Sequence, residues 1–143
     1  MLSKYITVIK MLAAVGTGLA LYLYVSYITQ PVATICTISD RVNCDAVISG
    51  EVSTTLGIPT ALYGLAGYVV ILVAAFMNKR KLMFGMSLFG TLFCLRVTFI
   101  EVFLLKVYCP VCALCQLDMI AILIFSTLAL RQKTPEIPAG ESI

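Results

Sequence analysis

Residues 58–112 read IPTALYGLAGYVVILVAAFM (58–77), NKRK (78–81), LMFGMSLFGTLFCLRVTFIEVFLLKV (82–107) and, after Tyr108, CPVC (109–112). Two long apolar runs are joined by three basic residues and an asparagine, and within these two runs proline enters only at Pro59. In the first turn of a helix proline costs little, because its missing N–H has no partner there anyway. About 20 helical residues cross the ~30 Å apolar core of a bilayer. The stretch therefore predicts two membrane-spanning helices folded back on each other at Asn78–Lys81. Working outward, a further apolar run extends from Tyr5 to Ile28 and ends at Gln30-Pro31, where proline discourages more helix. Another extends from Cys109 to Leu130. The expected fold is an all-α integral membrane protein, a four-transmembrane-helix bundle with spans at 5–28, 58–77, 82–107 and 109–130. These spans and the 29–57 connection make one domain, 1–133. Residues 134–143, with Pro135, Pro138 and Gly140, read as a disordered tail. The first apolar run is too long for the core of a cleaved leader and reads as a retained span.

Composition agrees with that fold. Of the 143 residues, 61% are hydrophobic and 12% charged, against roughly 25% charged in a soluble domain. A water-soluble chain this short has too little interior to hide so much apolar surface. The net charge of +3 is small and its basic residues cluster at segment ends, so nucleic acid is not an expected partner. There is no His, which removes histidine general-base catalysis, haem attachment through Cys-x-x-Cys-His and His-containing zinc sites.

The basic residues also orient the bundle. Lys4, the 78–81 turn, and Arg131 with Lys133 all fall on one side of a four-span model, which the positive-inside rule makes cytoplasmic. The 29–57 connection sets Arg41 against Asp40, Asp45 and Glu51, a net −2, and faces outward. Both termini are then inside, in a multi-pass cell-membrane protein. Within the outer connection Val42, Ala46, Val47 and Ser49 fall near one face of a short helix, which predicts an amphipathic turn lying on the membrane surface. Gly50, Gly57 and Pro59 give the chain places to bend into the second span.

Four of the six cysteines form two pairs, Cys36/Cys44 in the outer connection and Cys109/Cys112 opening the last span. In this topology both pairs lie on the outer side. The Cys-Pro-Val-Cys offset sets two sulfurs on one helical face, within disulfide range. A helix N-terminus favours the thiolate of its first cysteine. Two dithiols at one surface can pass an electron pair by exchange. Two blander readings stand beside this one. Cys36 and Cys44 can form a structural staple in an oxidising compartment, and the four outer cysteines can chelate zinc. Cys94 and Cys115 read as buried packing residues, although Cys115 makes a second Cys-x-x-Cys with Cys112.

Arg96, Glu101 and Asp118 fall inside predicted spans, where charge is costly and usually paired or functional. At 1.5 Å per residue Asp118 lies roughly 13 Å, and Arg96 roughly 16 Å, below the outer ends of their helices. Similar depth on antiparallel neighbours predicts an Arg96–Asp118 ion pair. Glu101 is shallower, within reach of the interface. Lys10 is expected to snorkel.

Taken together, Cys36-x7-Cys44-Asp45-x-Val47, Gly57-Ile58-Pro59, Gly64 and Tyr68 in the next span, and Cys109-Pro110-Val111-Cys112 resemble the vitamin K epoxide reductase family, in particular its bacterial and archaeal members. The likeness runs in order through nearly the whole chain. It implies a four-helix membrane bundle that holds a quinone near the outer surface. Under the resemblance Cys112 faces the quinone, Cys109 exchanges with Cys44, and Cys36 meets a thioredoxin-like partner outside the cytoplasm. Many bacterial members carry that partner as a fused domain; this chain resembles those without it. Ser49, five residues after Cys44, and Gln116, where animal members have tyrosine, are the residues assigned to quinone binding. The implied activity is thiol:quinone oxidoreduction that drives disulfide formation, the quinone being ubiquinone, menaquinone or another. Reduction of vitamin K quinone or its epoxide by the same cysteines is the alternative enzyme reading, and Gln116 in place of tyrosine counts against the epoxide. A structural or metal-binding membrane protein is the alternative of another class.

Overall fold

The computed structural model describes residues 2–29, 39–42 and 54–132. Helix α1 (Leu2–Thr29) is followed by a two-stranded ribbon, β1 (Thr54–Thr55) and β2 (Ile58–Pro59), then α2 (Thr60–Phe76), α3 (Arg80–Ile100) and α4 (Pro110–Arg131). The spans expected from the sequence lie within a few residues of these bounds. Helix α3 runs on into a π-helical turn, Glu101–Leu105, which the apolar periodicity gave no hint of. Leu2–Thr29, Arg80–Leu105 and Pro110–Arg131 are long and apolar enough to cross a membrane, whereas α2 is apolar but shorter, at 17 residues. The expected amphipathic helix of the outer connection and the 134–143 tail lie outside the described residues, as do Cys36, Cys44 and Ser49.

The ribbon was not expected. Leu56 and Gly57 both have positive φ, 56° and 79°, the requirement of a two-residue turn whose twist suits a hairpin. Thr55 pairs with Ile58 across it. Pro59 then stands just outside α2 as its cap, one residue earlier than expected, and its lack of an N–H costs the helix nothing. At the other end Asn78, also with positive φ at 54°, reverses the chain into α3.

The four helices form a ring in chain order: α1 packs on α2 and α4, and α3 packs on α2 and α4. Small residues permit the approach. Ala13 and Ala20 of α1 and Ala74 and Ala75 of α2 are buried in the core with Ile9, Ile71, Met83, Met119 and Ile122, the close-contact mode of membrane helices. At Gly16 the Tyr68 ring occupies the space any Cβ would need, so only glycine admits the ring there. The outward faces are apolar too: Met11, Val15, Val25, Val73, Phe76, Phe99, Leu114 and Ile124 are all exposed. An apolar surface of this extent belongs in lipid, not water. At the end opposite the cysteines the Arg80 guanidinium donates to the carbonyls of Ala129 and Gln132, both at 3.2 Å, satisfying the last turn of α4. Lys10 sits with its ammonium 4.5 Å from the Phe76 ring centroid, a cation–π contact.

The expected Arg96–Asp118 pair is not formed. Arg96 is exposed on the outer face of α3, while Asp118 turns inward toward the Tyr68 hydroxyl. Depth along the axis matched, but direction around it did not: neighbouring Val97, not Arg96, continues the buried stripe of α3.

Candidate active site

Cys109 caps α4. Its backbone is extended (φ −99°, ψ 110°), Pro110 occupies the first helical position, and Cys109 Sγ accepts from the Cys112 N–H at 3.4 Å. Proline at that position removes a donor the helix cannot use, and the cap sulfur takes up one that would otherwise be orphaned. Cys109 is fully buried among Leu23, Tyr27, Val107, Val111 and Cys112. The hydrogen bond with the Cys112 side chain holds the Cys109 thiol below the ordinary thiol range. The N–H groups of Cys112 and Val111 add to that effect, against burial and the Glu101 carboxylate. A lowered thiol carries more thiolate at neutral pH, and thiolate is the reactive form. Alkylation of Cys109 is therefore expected to reach its plateau at a lower pH than a model thiol, and Cys112→Ala should move that rise toward higher pH. A profile coinciding with the model thiol, measured by mass spectrometry of the 109-containing peptide, contradicts this.

The 29–57 connection touches the site through its backbone. Val42 forms a parallel bridge with Tyr108, and the Tyr108 N–H donates to the Arg41 carbonyl. Val42 lies two positions before Cys44, and Tyr108 immediately precedes Cys109.

Beside Cys112 a cavity of about 270 Å³ runs down the interior of the ring. Helix α1 contributes Ala20, Leu23 and Tyr27, and α2 contributes Tyr63, Gly64, Gly67 and Tyr68. Helix α3 supplies Phe89, Phe93 and Cys94, and α4 supplies Cys112, Cys115 and Met119. Seven residues separate Cys112 from Met119, so the space extends roughly 10 Å along α4. Gly64 and Gly67 have nothing within 4 Å of where a Cβ would stand, which leaves that wall open. Phe93 lies 5.7 Å from Tyr63 and 6.4 Å from Phe89, centroid to centroid, an aromatic wall. Tyr68 closes the inner side, its hydroxyl donating to the Cys115 carbonyl at 3.1 Å. A flat, apolar ring with few polar atoms fits such walls, with the Cys112 sulfur on its edge.

Of the residues assigned from the sequence, Cys109 and Cys112 come together at this cavity. Gln116, one turn further along α4, is buried with neither amide atom hydrogen-bonded among the described residues, and it is not among the cavity-lining side chains. Cys94 and Cys115, read as packing, line the cavity. The sequence reading missed Tyr68 as the cavity's inner wall and left Glu101 without a role. Glu101 is 2% exposed and lies against the Cys112 side chain and the Cys109 N–H. Its signal was available: Met83, Ser87, Thr91 and Val97 form the buried stripe of α3, and Glu101 is the next position at helical spacing. Among the described residues no group of three His, Cys, Asp or Glu side chains is placed to hold a metal ion.

A helical membrane bundle with a dithiol at a helix start, opening on an apolar cavity, defines a class: membrane oxidoreductases that work through thiols on an apolar acceptor. The sequence profile of the Vitamin K epoxide reductase family matches residues 7–127, and the chain belongs to that family. Membership carries membrane-bound, quinone-linked thiol oxidoreductase activity in general.

Proposed function

We propose that this protein is a membrane thiol:quinone oxidoreductase that takes electrons from a thioredoxin-like partner and drives disulfide formation outside the cytoplasm. Electrons pass from the partner to Cys36/Cys44, then to Cys109/Cys112, then to a quinone in the cavity. The four helices all cross the bilayer; α2 is about a turn short of a full crossing, and the apolar Ile58 and Met77 flanking it extend the apolar stretch beyond the helix. Both termini are cytoplasmic and the cysteines lie at the outer face, as the basic residues at the inner turns require.

The observation that carries this reading is the pairing of Val42 with Tyr108. It ties a point two residues from Cys44 to a point one residue from Cys109. Two residues span at most about 7 Å, so the tether is short enough for Cys44 and Cys109 to exchange. The chain's own contribution is geometric: it orients Cys112 against the acceptor, excludes water with aromatic and aliphatic walls, and holds Cys109 ready as thiolate. The quinone supplies the two-electron acceptor when bound. Ser49 and Gln116 are the residues assigned to bind it in this reading; Gln116 is buried one turn beyond Cys112 with its amide unsatisfied, beside the cavity rather than lining it.

The test is direct. Prereduced, detergent-solubilised protein mixed with two equivalents of a water-soluble quinone analogue is expected to lose four thiols in two pairs, one pair for each equivalent reduced. Alkylation followed by peptide mapping should assign them to positions 36, 44, 109 and 112. If quinone leaves these thiols untouched, the staple or chelating reading stands instead.

A further inference from the structure

We propose that Glu101 is the base that takes the Cys112 proton when that sulfur is oxidised. This rests on the assignment of Cys112 as the sulfur facing the quinone. A carboxyl 2% exposed in the apolar interior of a membrane bundle is costly and marks function or pairing. Arg96 and Lys106, the cations nearest to it in sequence, are both exposed. The polar groups that act on the carboxyl are the Cys112 side chain and the backbone N–H of Cys109, and its Oε1 has no hydrogen-bond partner among the described residues. It opens the π-helical turn Glu101–Leu105, its own carbonyl accepting from Lys106 and Val107 before Lys106 ends the helix in the left-handed region. Turns of this kind inside α-helices recur at functional sites. The titratable groups facing Glu101 are Cys109 and Cys112 from the start of α4 and Cys94 from its own helix.

The balance is that of dithiol plus quinone giving disulfide plus quinol. The Cys109 Sγ–Cys112 Sγ bond forms, the electron pair passes to the quinone, and both S–H bonds are lost. Cys109 gives its proton to the outer water as its thiolate forms, and the quinol recovers one proton from that water. The Cys112 proton passes to Glu101, and the quinol draws its second proton from the same water, so two protons leave the dithiol and two enter the quinol. Glu101 does not line the cavity, so its loss should spare quinone affinity.

The experiment is single-turnover oxidation of prereduced protein by a quinone analogue, followed across pH for wild type, Glu101→Gln, Glu101→Asp and Cys112→Ser. Wild type should slow toward acid as the base becomes protonated. Glu101→Gln should be slower by a factor of about 100 or more near neutrality, the scale of general-base catalysis. It should lose the acid limb and recover as pH rises through the thiol range, with quinone affinity unchanged. A Glu101→Gln rate equal to wild type, or a reduced rate that keeps the wild-type acid limb, overturns the proposal. If Glu101→Gln does not fold, Glu101→Asp decides: a displaced acid limb supports the role, and one superimposed on wild type overturns it. Cys112→Ser separates the two levels. Activity retained there removes the Cys112 assignment itself, whereas an inactive Cys112→Ser beside a fully active Glu101→Gln removes only the proton role.

Discussion

Cys112→Ala and Cys109→Ala are each expected to bring quinone reduction down at least about a thousandfold, the scale on which removing a reacting nucleophile acts. The two changes fail for different reasons. Cys112 borders the cavity, so its loss removes the sulfur that meets the acceptor. Cys109 is buried against Leu23, Tyr27, Val107 and Val111 and does not line the cavity, so its loss leaves Cys112 with no partner to close the disulfide and release the reduced acceptor. Steady-state quinol formation, followed optically with a small thiol as reductant, checks both. Full turnover in either variant contradicts the assignment of this pair.

Cys36→Ala is expected to abolish electron entry from a thioredoxin-like protein while sparing turnover driven by a small thiol. The division follows from access. In the proposed relay Cys36 is the sulfur that meets the folded partner, whereas a small thiol can reduce Cys44 or the Cys109–Cys112 disulfide unaided. Parallel assays with reduced thioredoxin-like protein and with dithiothreitol measure the split. Normal partner oxidation in Cys36→Ala reverses the order of the two loop cysteines.

Much of the architecture could be read from apolar run length and the basic turn at 78–81, because a helix that must cross lipid has little freedom in length or composition. What escaped the reading was anything set by direction around a helix or by a few residues only. Arg96 and Asp118 match in depth, yet Arg96 points outward and Asp118 toward Tyr68; rise per residue carries no information on facing. The 54–59 ribbon has strands of two residues, too short for a period-two signal, and its turn is Leu56-Gly57 where Asn-Gly would have announced it. The π-helical turn adds too little to disturb a 3.6-residue period, so the end of α3 looked regular. At the site, the Cys-Pro-Val-Cys stood out because its spacing is itself the chemistry. The cavity did not, since its walls are glycines, alanines and aromatics indistinguishable in sequence from lipid-facing neighbours. Glu101 was conspicuous as a charge, but its purpose depends on Cys112, eleven residues away and on the next helix.

The central claim is that the loop dithiol and the helix dithiol meet. Its most direct measurement is disulfide mapping of the Cys36→Ser, Cys112→Ser double variant, purified under mild oxidation, alkylated and digested. With the outer and inner exchange sulfurs removed, the account predicts one dominant cross-linked peptide joining Cys44 to Cys109. Recovery of Cys44 and Cys109 as separate alkylated peptides, or of Cys109 bonded to Cys94 or Cys115, contradicts it.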